Sequence, residues 1–209
     1  MIAVALICVA GFTTAQAQEL LIDVKAGTSR ASDPGKFGFN SAVEAGIGVN
    51  PYFALVAMPG FTWYSWDKGL GITKQDGPLT SELKQSINGY MFPVLAAAKL
   101  RIPEFKESVG IVPYVTVGAG YSWLKYAYST PAYTDTLSIS HDKVSGSNTY
   151  KGLTWIALAG ITYKLGDTNM NLLAEGGYRG AKLKKGDYEV DMSGFVANVG
   201  VNFAIGEAE

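Results

Sequence analysis

The segment that decides the fold is VPYVTVGAGYSW, running from Val112 to Trp123. In an extended chain Val115, Val117, Ala119, Tyr121 and Trp123 fall on one face, and Tyr114, Thr116, Gly118, Gly120 and Ser122 on the other. Side chains of a strand alternate with a period of two, so this pattern predicts a β-strand with one apolar face and one small or polar face.

The same rule recurs on either side. Phe37, Phe39, Val43, Ala45, Ile47 and Val49 oppose Asn40, Ala42, Glu44, Gly46 and Gly48. Leu153, Trp155, Ala157, Ala159, Ile161 and Tyr163 oppose Thr154, Ile156, Leu158, Gly160, Thr162 and Lys164, and Phe195, Ala197, Val199, Val201 and Phe203 oppose Val196, Asn198, Gly200 and Asn202. With Leu20 to Ala26, Tyr52 to Trp66, Ile87 to Arg101 and Met170 to Leu183, eight strands are predicted. Charged residues are absent from Ala45 to Trp66, the longest such stretch. A membrane helix needs about 20 apolar residues, but Asn50-Pro51 and Pro59 interrupt this run, so two strands fit it better. Connections alternate in length. Those at Asn50-Pro51, Ile102 to Val109 and Gly166 to Asn169 are short, while Asp67 to Ser86 and Ser129 to Lys151 are long. Short periplasmic turns and long outer loops are how outer-membrane barrels are built. With both termini in the periplasm, Gly27 to Lys36, Asp67 to Ser86, Ser129 to Lys151 and Lys184 to Tyr188 face outward.

Composition agrees. The 25 glycines and 12% aromatic content suit many strands and tight turns. A net charge of −1 gives no nucleic-acid footprint. Met1 to Ala17 is an apolar run closed by Ala15-Gln16-Ala17, the small-x-small pattern of a cleaved export signal. The expected division is therefore a signal peptide over 1–17 and a barrel domain over 18–209. The usual leading Lys or Arg is missing, so either the start site lies upstream or the segment is truncated. The single cysteine, Cys8, lies within the signal, follows Ile7 where a lipoprotein anchor requires a small residue, and reads as a small apolar residue of that run.

Alternation alone does not say which face points inward, because a soluble ligand-binding barrel buries its apolar face. Here the less apolar face is rich in glycine and threonine with isolated charges, which suits the interior of a narrow barrel. Aromatics collect toward strand ends. Trp63, Tyr64, Trp66, Tyr90, Phe92, Tyr121, Trp123, Tyr126, Trp155 and Tyr178 lie near the outer loops, and Tyr52, Phe53, Tyr114, Tyr163 and Phe203 near the turns, as two interfacial girdles would. Closure into a barrel then satisfies every backbone group without water. The segment Val112 to Tyr121, the strand Leu173-Ala174-Glu175-Gly176-Gly177-Tyr178-Arg179 and the alternating run ending at Phe203 make the chain similar to the small outer-membrane β-barrel superfamily of Gram-negative bacteria, which includes the OmpA transmembrane domain, OmpX and OmpW. The resemblance implies an all-β, eight-stranded antiparallel up-and-down transmembrane barrel in the cell outer membrane. It also implies recognition of a terminal aromatic by the barrel-assembly machinery. In most relatives that aromatic is the last residue; here Ala204 to Glu209 follow Phe203.

Asp23, Lys25, Glu44, Lys99, Arg101, Lys164, Glu175 and Arg179 fall on the inward face. Charges inside a narrow barrel need partners. They are expected to form a lumen network of ion pairs that fills the interior, with a polar gate built on Glu44, Arg101, Glu175 and Arg179 as the alternative. No catalytic, cofactor or metal site is expected. Ser138-Ile139-Ser140-His141-Asp142 is not a triad, which needs groups converging from separate elements. Gly118-Ala119-Gly120 lacks the third glycine and the helix of a dinucleotide fingerprint. Asp135 stands alone among Ser, Thr and Tyr, unlike a calcium loop. The Ser-, Thr- and Tyr-rich stretch from Tyr126 to Tyr150 suits an adaptable recognition loop. The expected role is structural or surface interaction (adhesion or ligand binding by the loops), with a narrow channel or transporter for small solutes, polar or hydrophobic, as the alternative. Expected partners are outer-membrane lipid and lipopolysaccharide, the assembly machinery and an extracellular ligand at the outer loops.

Overall fold

The computed structural model describes residues 19–76, 79–166 and 170–206; the expected signal peptide lies outside them. The strands are β1 (Glu19–Arg30), β2 (Phe37–Asn50), β3 (Phe53–Asp76), β4 (Leu79–Arg101), β5 (Ile111–Thr130), β6 (Tyr133–Thr134), β7 (Ser140–His141), β8 (Val144–Lys164), β9 (Met170–Lys185), β10 (Tyr188–Asp191) and β11 (Gly194–Ile205). A five-residue helix, α1 (Phe105–Val109), lies between β4 and β5. It ends at Gly110, whose φ of 70° places it in the left-handed region that glycine adopts without a Cβ clash.

Strands β1, β2, β3, β4, β5, β8, β9 and β11 pair antiparallel in a closed ring, sealed where Leu20 pairs with Ile205 and where β8 pairs with β9. β10 continues the line of β11 along β9, with Lys182 opposite Asp191 and Arg179 opposite Gly194. The predicted eight-stranded barrel is the structure observed, with no open edge around the ring.

The faces are inverted relative to a soluble barrel. Val24, Val43, Val117, Leu172 and Val199 point outward and are exposed, while Asp23, Lys25, Glu44, Thr62 and Thr116 are buried. An apolar exterior around a polar core is stable only if lipid covers the apolar band.

Two connections differ from the sequence reading. Asp67 to Ser86 is a ribbon rather than a loop, because β3 and β4 stay paired from Asp67 opposite Ser86 to Asp76 opposite Leu79. β5 and β8 likewise stay paired up to Thr130 opposite Val144, leaving only 131–143 as connection. A ribbon standing outside the bilayer has no lipid on its outer face, so although Leu83 is buried the ribbon need not carry the full alternation that reveals a spanning strand. The 24 residues of β3 at about 3.3 Å each and about 40° of tilt rise roughly 60 Å, about twice the hydrocarbon thickness. β1, with 12 residues, stops far below it. The rim is therefore tall along β3, β4, β5 and β8 and low along β1, β2, β9 and β11.

Candidate functional site

Period two sends every second side chain of each strand into the lumen, and the register decides which of them meet. Asp23 on β1 lies directly opposite Glu44 on β2, two acids that repel unless cations are inserted. Lys99 Nζ donates to Asp23 Oδ2 at 2.5 Å and to Glu44 Oε2 at 2.5 Å. Lys25 Nζ donates to Glu44 Oε1 and, at 2.8 Å, to Glu175 Oε1. The result is one chain of alternating sign, Asp23, Lys99, Glu44, Lys25, Glu175. Small neighbours give the long side chains room: Lys25 faces Ala42 and Gly200, and Glu175 faces Gly160.

Neutral donors close the ends of this chain. Asn202 donates to Asp23 at 2.5 Å. Tyr114 and Asn198 each donate to Glu175 at 2.9 Å. Asn40 donates onward to Asn198 at 2.8 Å, Thr62 to Asn40 at 2.9 Å, and Arg179 Nη1 to Thr62 at 3.0 Å. Arg179 Nη2 also donates to the Tyr64 hydroxyl at 2.7 Å. Every donor from Arg179 to Glu175 points the same way, so the relay polarises in one direction and couples the arginine to the acid-rich cluster. Three acids, two lysines and this arginine sum to zero.

Beside the lysine cluster packs an apolar group of Met58, Leu95, Ile156, Leu158 and Val196, with Ile156 directly opposite Arg179 in register. Above them Tyr64, Met91, Leu124, Leu183 and Met192 form a buried cap, with Trp66, Tyr150 and Val190 packed against it. A cavity of about 30 Å³ is lined by Met58, Ile156, Asn40, Asn198 and Arg179 among others. That admits a water or two.

Six of the eight residues singled out from sequence are therefore brought together. Arg101 pairs instead with Glu19 at 2.6 Å and with the Asn50 carbonyl at 3.0 Å, at the periplasmic rim. Lys164 is exposed at the end of β8: it has the inward parity but lies past the last layer of packed side chains. The lone histidine is engaged elsewhere. His141 stacks on Tyr133 with centroids 4.6 Å apart and its Nε2 lies 3.2 Å from Asp135 Oδ2, while Asp135 Oδ1 accepts the backbone N–H groups of Leu137 and Ile139. These contacts fold 131–143 into a small hairpin. Among the described residues no group of three or more His, Cys, Asp or Glu could hold a metal ion.

The pattern described by the family model "Outer membrane protein beta-barrel domain" matches residues 1–203. The chain belongs to this family. It is accordingly an outer-membrane protein, and its apolar exterior is the surface that meets lipid. Neisserial surface protein A is similar in structure, with a TM-score of 0.52 and 16% identity over 90% of this chain and 99% of that one. A major outer membrane protein of Thermus thermophilus (TM-score 0.48, 14% identity, 91% and 100% covered) and the N-terminal β-barrel domain of Pseudomonas aeruginosa OprF (0.44, 15%, 91% and 100%) are more distant. No curated protein matches the chain.

The girdle reading needs correction at four positions. Tyr64 and Tyr114 are buried and face the lumen, and Trp66 and Tyr126 form an inward aromatic contact at 5.6 Å that continues from Tyr126 to Tyr150 at 6.3 Å. Position near a strand end suggested the interface, but parity governs the face. The network residues that charge alone did not reveal are Tyr64, Tyr114, Asn40, Asn198, Asn202 and Thr62. All lie on the polar face of their strands, which was the available signal.

Proposed function

We propose that this protein is a closed, non-conducting outer-membrane barrel that acts at the cell surface through its outer ribbons and loops. The observation that carries the reading is the filled lumen. An alternating ion-pair chain, an apolar cluster level with Arg179 and an aromatic-aliphatic cap occupy it. Opening it would strand buried charges without partners, a large cost in a low-dielectric interior. A second feature supports a role outside the membrane. Leu79, Leu137, Ile139 and Val144 sit exposed on the outer tips of the tall side, beyond the reach of the bilayer, where apolar side chains on a rigid scaffold commonly serve recognition.

The test is single-channel recording of the refolded protein in a planar bilayer, after heat-modifiable migration on a gel confirms folding. Silence is expected; discrete, reproducible openings would overturn the closed-barrel reading. Replacing Pro131 to Lys143 by a short Gly-Ser turn keeps the barrel and removes the small hairpin. Cells displaying that variant should adhere less to one another and to cultured epithelial cells than cells displaying the wild type, and equal adherence would sink the assignment to this loop.

A further inference from the structure

Four lysines stand on the outward face of three adjacent strands. Lys151 of β8 lies opposite Trp123 of β5 and opposite Lys184 of β9. Lys125 is two residues beyond Trp123, and Lys182 shares its face with Lys184; all four are exposed. Lys184 is paired with Glu189 at 3.2 Å. Among the described residues no carboxylate lies within ion-pair distance of Lys125, Lys151 or Lys182. Asp191, opposite Lys182 in register, instead accepts the Ser193 N–H at 2.9 Å. Like charges placed directly across a ladder destabilise it, so the pair Lys151 and Lys184 is unfavourable for the barrel alone.

Their depth says what would relieve it. An aromatic row crosses β8, β9 and β11 below Lys151 and Lys182, Trp155 to Tyr178 at 5.8 Å and Tyr178 to Phe195 at 5.7 Å, while Trp123, in contact with Tyr121, stands at the register of Lys151. Such rows mark the boundary between acyl chains and headgroups. Lys151 and Lys182 each lie four residues beyond that row, about 10 Å along the membrane normal at the usual strand tilt. That is the depth of lipid headgroups. The patch is convex barrel wall with Leu153 fully presented beneath it, 78% exposed, a shape suited to acyl chains lying along the wall with their headgroups above.

We propose that Lys125, Lys151, Lys182 and Lys184 form a docking surface for the phosphorylated headgroups of outer-leaflet lipid. Ammonium groups act on phosphate as point charges and need no fixed bidentate geometry. Juxtamembrane lysines gain from an anionic membrane surface in the same way. The site depends on the outer-membrane placement of the barrel and not on the state of its lumen.

The test compares wild type with the triple variant Lys151→Gln, Lys182→Gln, Lys184→Gln in phosphatidylcholine nanodiscs doped with lipid A or with dephosphorylated lipid A. Retained lipid is measured by native mass spectrometry after detergent extraction, and heat-modifiable migration confirms that the variant folds. Wild type should retain lipid A at least about tenfold more than the triple variant, release it in high salt, and show little preference for the dephosphorylated form. An Arg30→Gln, Lys36→Gln control on the opposite side of the rim should behave as wild type. Equal retention by wild type and triple variant, equal retention of both lipids, or a matching loss in the control would overturn the proposal. So would capture of a soluble sulfated polysaccharide without preference for phosphorylated lipid, which would assign the patch to a polyanion instead.

Discussion

Replacing Lys25 by Met tests whether the alternating chain in the lumen stabilises the barrel. Lys25 is 2% exposed, and its ammonium donates to Glu44 and Glu175. Methionine keeps most of the volume, so little of the effect comes from a cavity. What is lost is two charge-assisted hydrogen bonds, at about 1.5 to 3 kcal/mol each, and what remains is two carboxylates facing each other. Breaking one side of a buried ion pair costs about 3 to 5 kcal/mol by a separate route, so about 4 kcal/mol is expected. For a domain of this size that corresponds to a fall in Tm of roughly 8 to 16 °C. The assay is guanidinium unfolding in phospholipid vesicles followed by fluorescence of the four tryptophans. The double variant Lys25→Met, Glu175→Gln removes one charge of each sign and should recover at least about half of the loss. A single-variant cost below about 1 kcal/mol, or a double variant no more stable than Lys25→Met, would refute the reasoning.

Three further outcomes are expected. A Cβ on Gly38 would lie 2.4 Å from the Tyr64 ring and 2.4 Å from the Trp63 carbonyl, so Gly38→Ala should destabilise by about 1 to 3 kcal/mol; an unchanged unfolding midpoint would show that Tyr64 has room to move. Tyr64→Phe removes the hydroxyl that accepts from Arg179 at 2.7 Å and should cost about 1.5 to 3 kcal/mol without creating conductance, since the ring still fills the cap; stable openings in this variant would contradict the cap. In the outer loop, the Ile139 N–H first and His141 second hold the Asp135 carboxyl below its ordinary value of 3.8. A lowered folded value means the contribution is complete above the ordinary value and lost as pH falls through the lowered one. The β6–β7 hairpin should therefore stay closed at neutral pH and open only in strong acid, while Asp135→Asn should weaken it at neutral pH; equal amide-exchange protection of Ile139 in wild type and variant would count against this.

The fold was legible because the membrane imposes one rule on every spanning strand, and Val115 to Trp123 obeys it as cleanly as Phe195 to Phe203. Where the chain leaves the bilayer the rule lapses. Asp67 to Asp76 carries charges at both parities with Gly69 and Gly71 among them, and Leu79 to Ser86 has only two apolar residues, so their pairing was invisible in the pattern. In the lumen, parity identified the charged residues of the network, but partners depend on register between strands far apart in sequence. Nothing local announces that Lys25 meets both Glu44 and Glu175, or that Arg179 is joined to Glu175 through Thr62, Asn40 and Asn198. Tyr64 and Tyr114 show the competition between two signals. Proximity to a strand end pointed them at lipid, whereas the alternation within each strand put them inside.

The unequal rim gives the molecule a front and a back within the plane of the membrane. A neighbour approaching from β1, β2, β9 or β11 meets a wall that ends near the headgroups, and can slide above the barrel. One approaching from β3, β4, β5 or β8 meets a palisade standing well clear of the lipid. Rotation about the membrane normal, which would be without consequence for a cylinder of even height, thus decides which face of a crowded outer membrane the tips can touch.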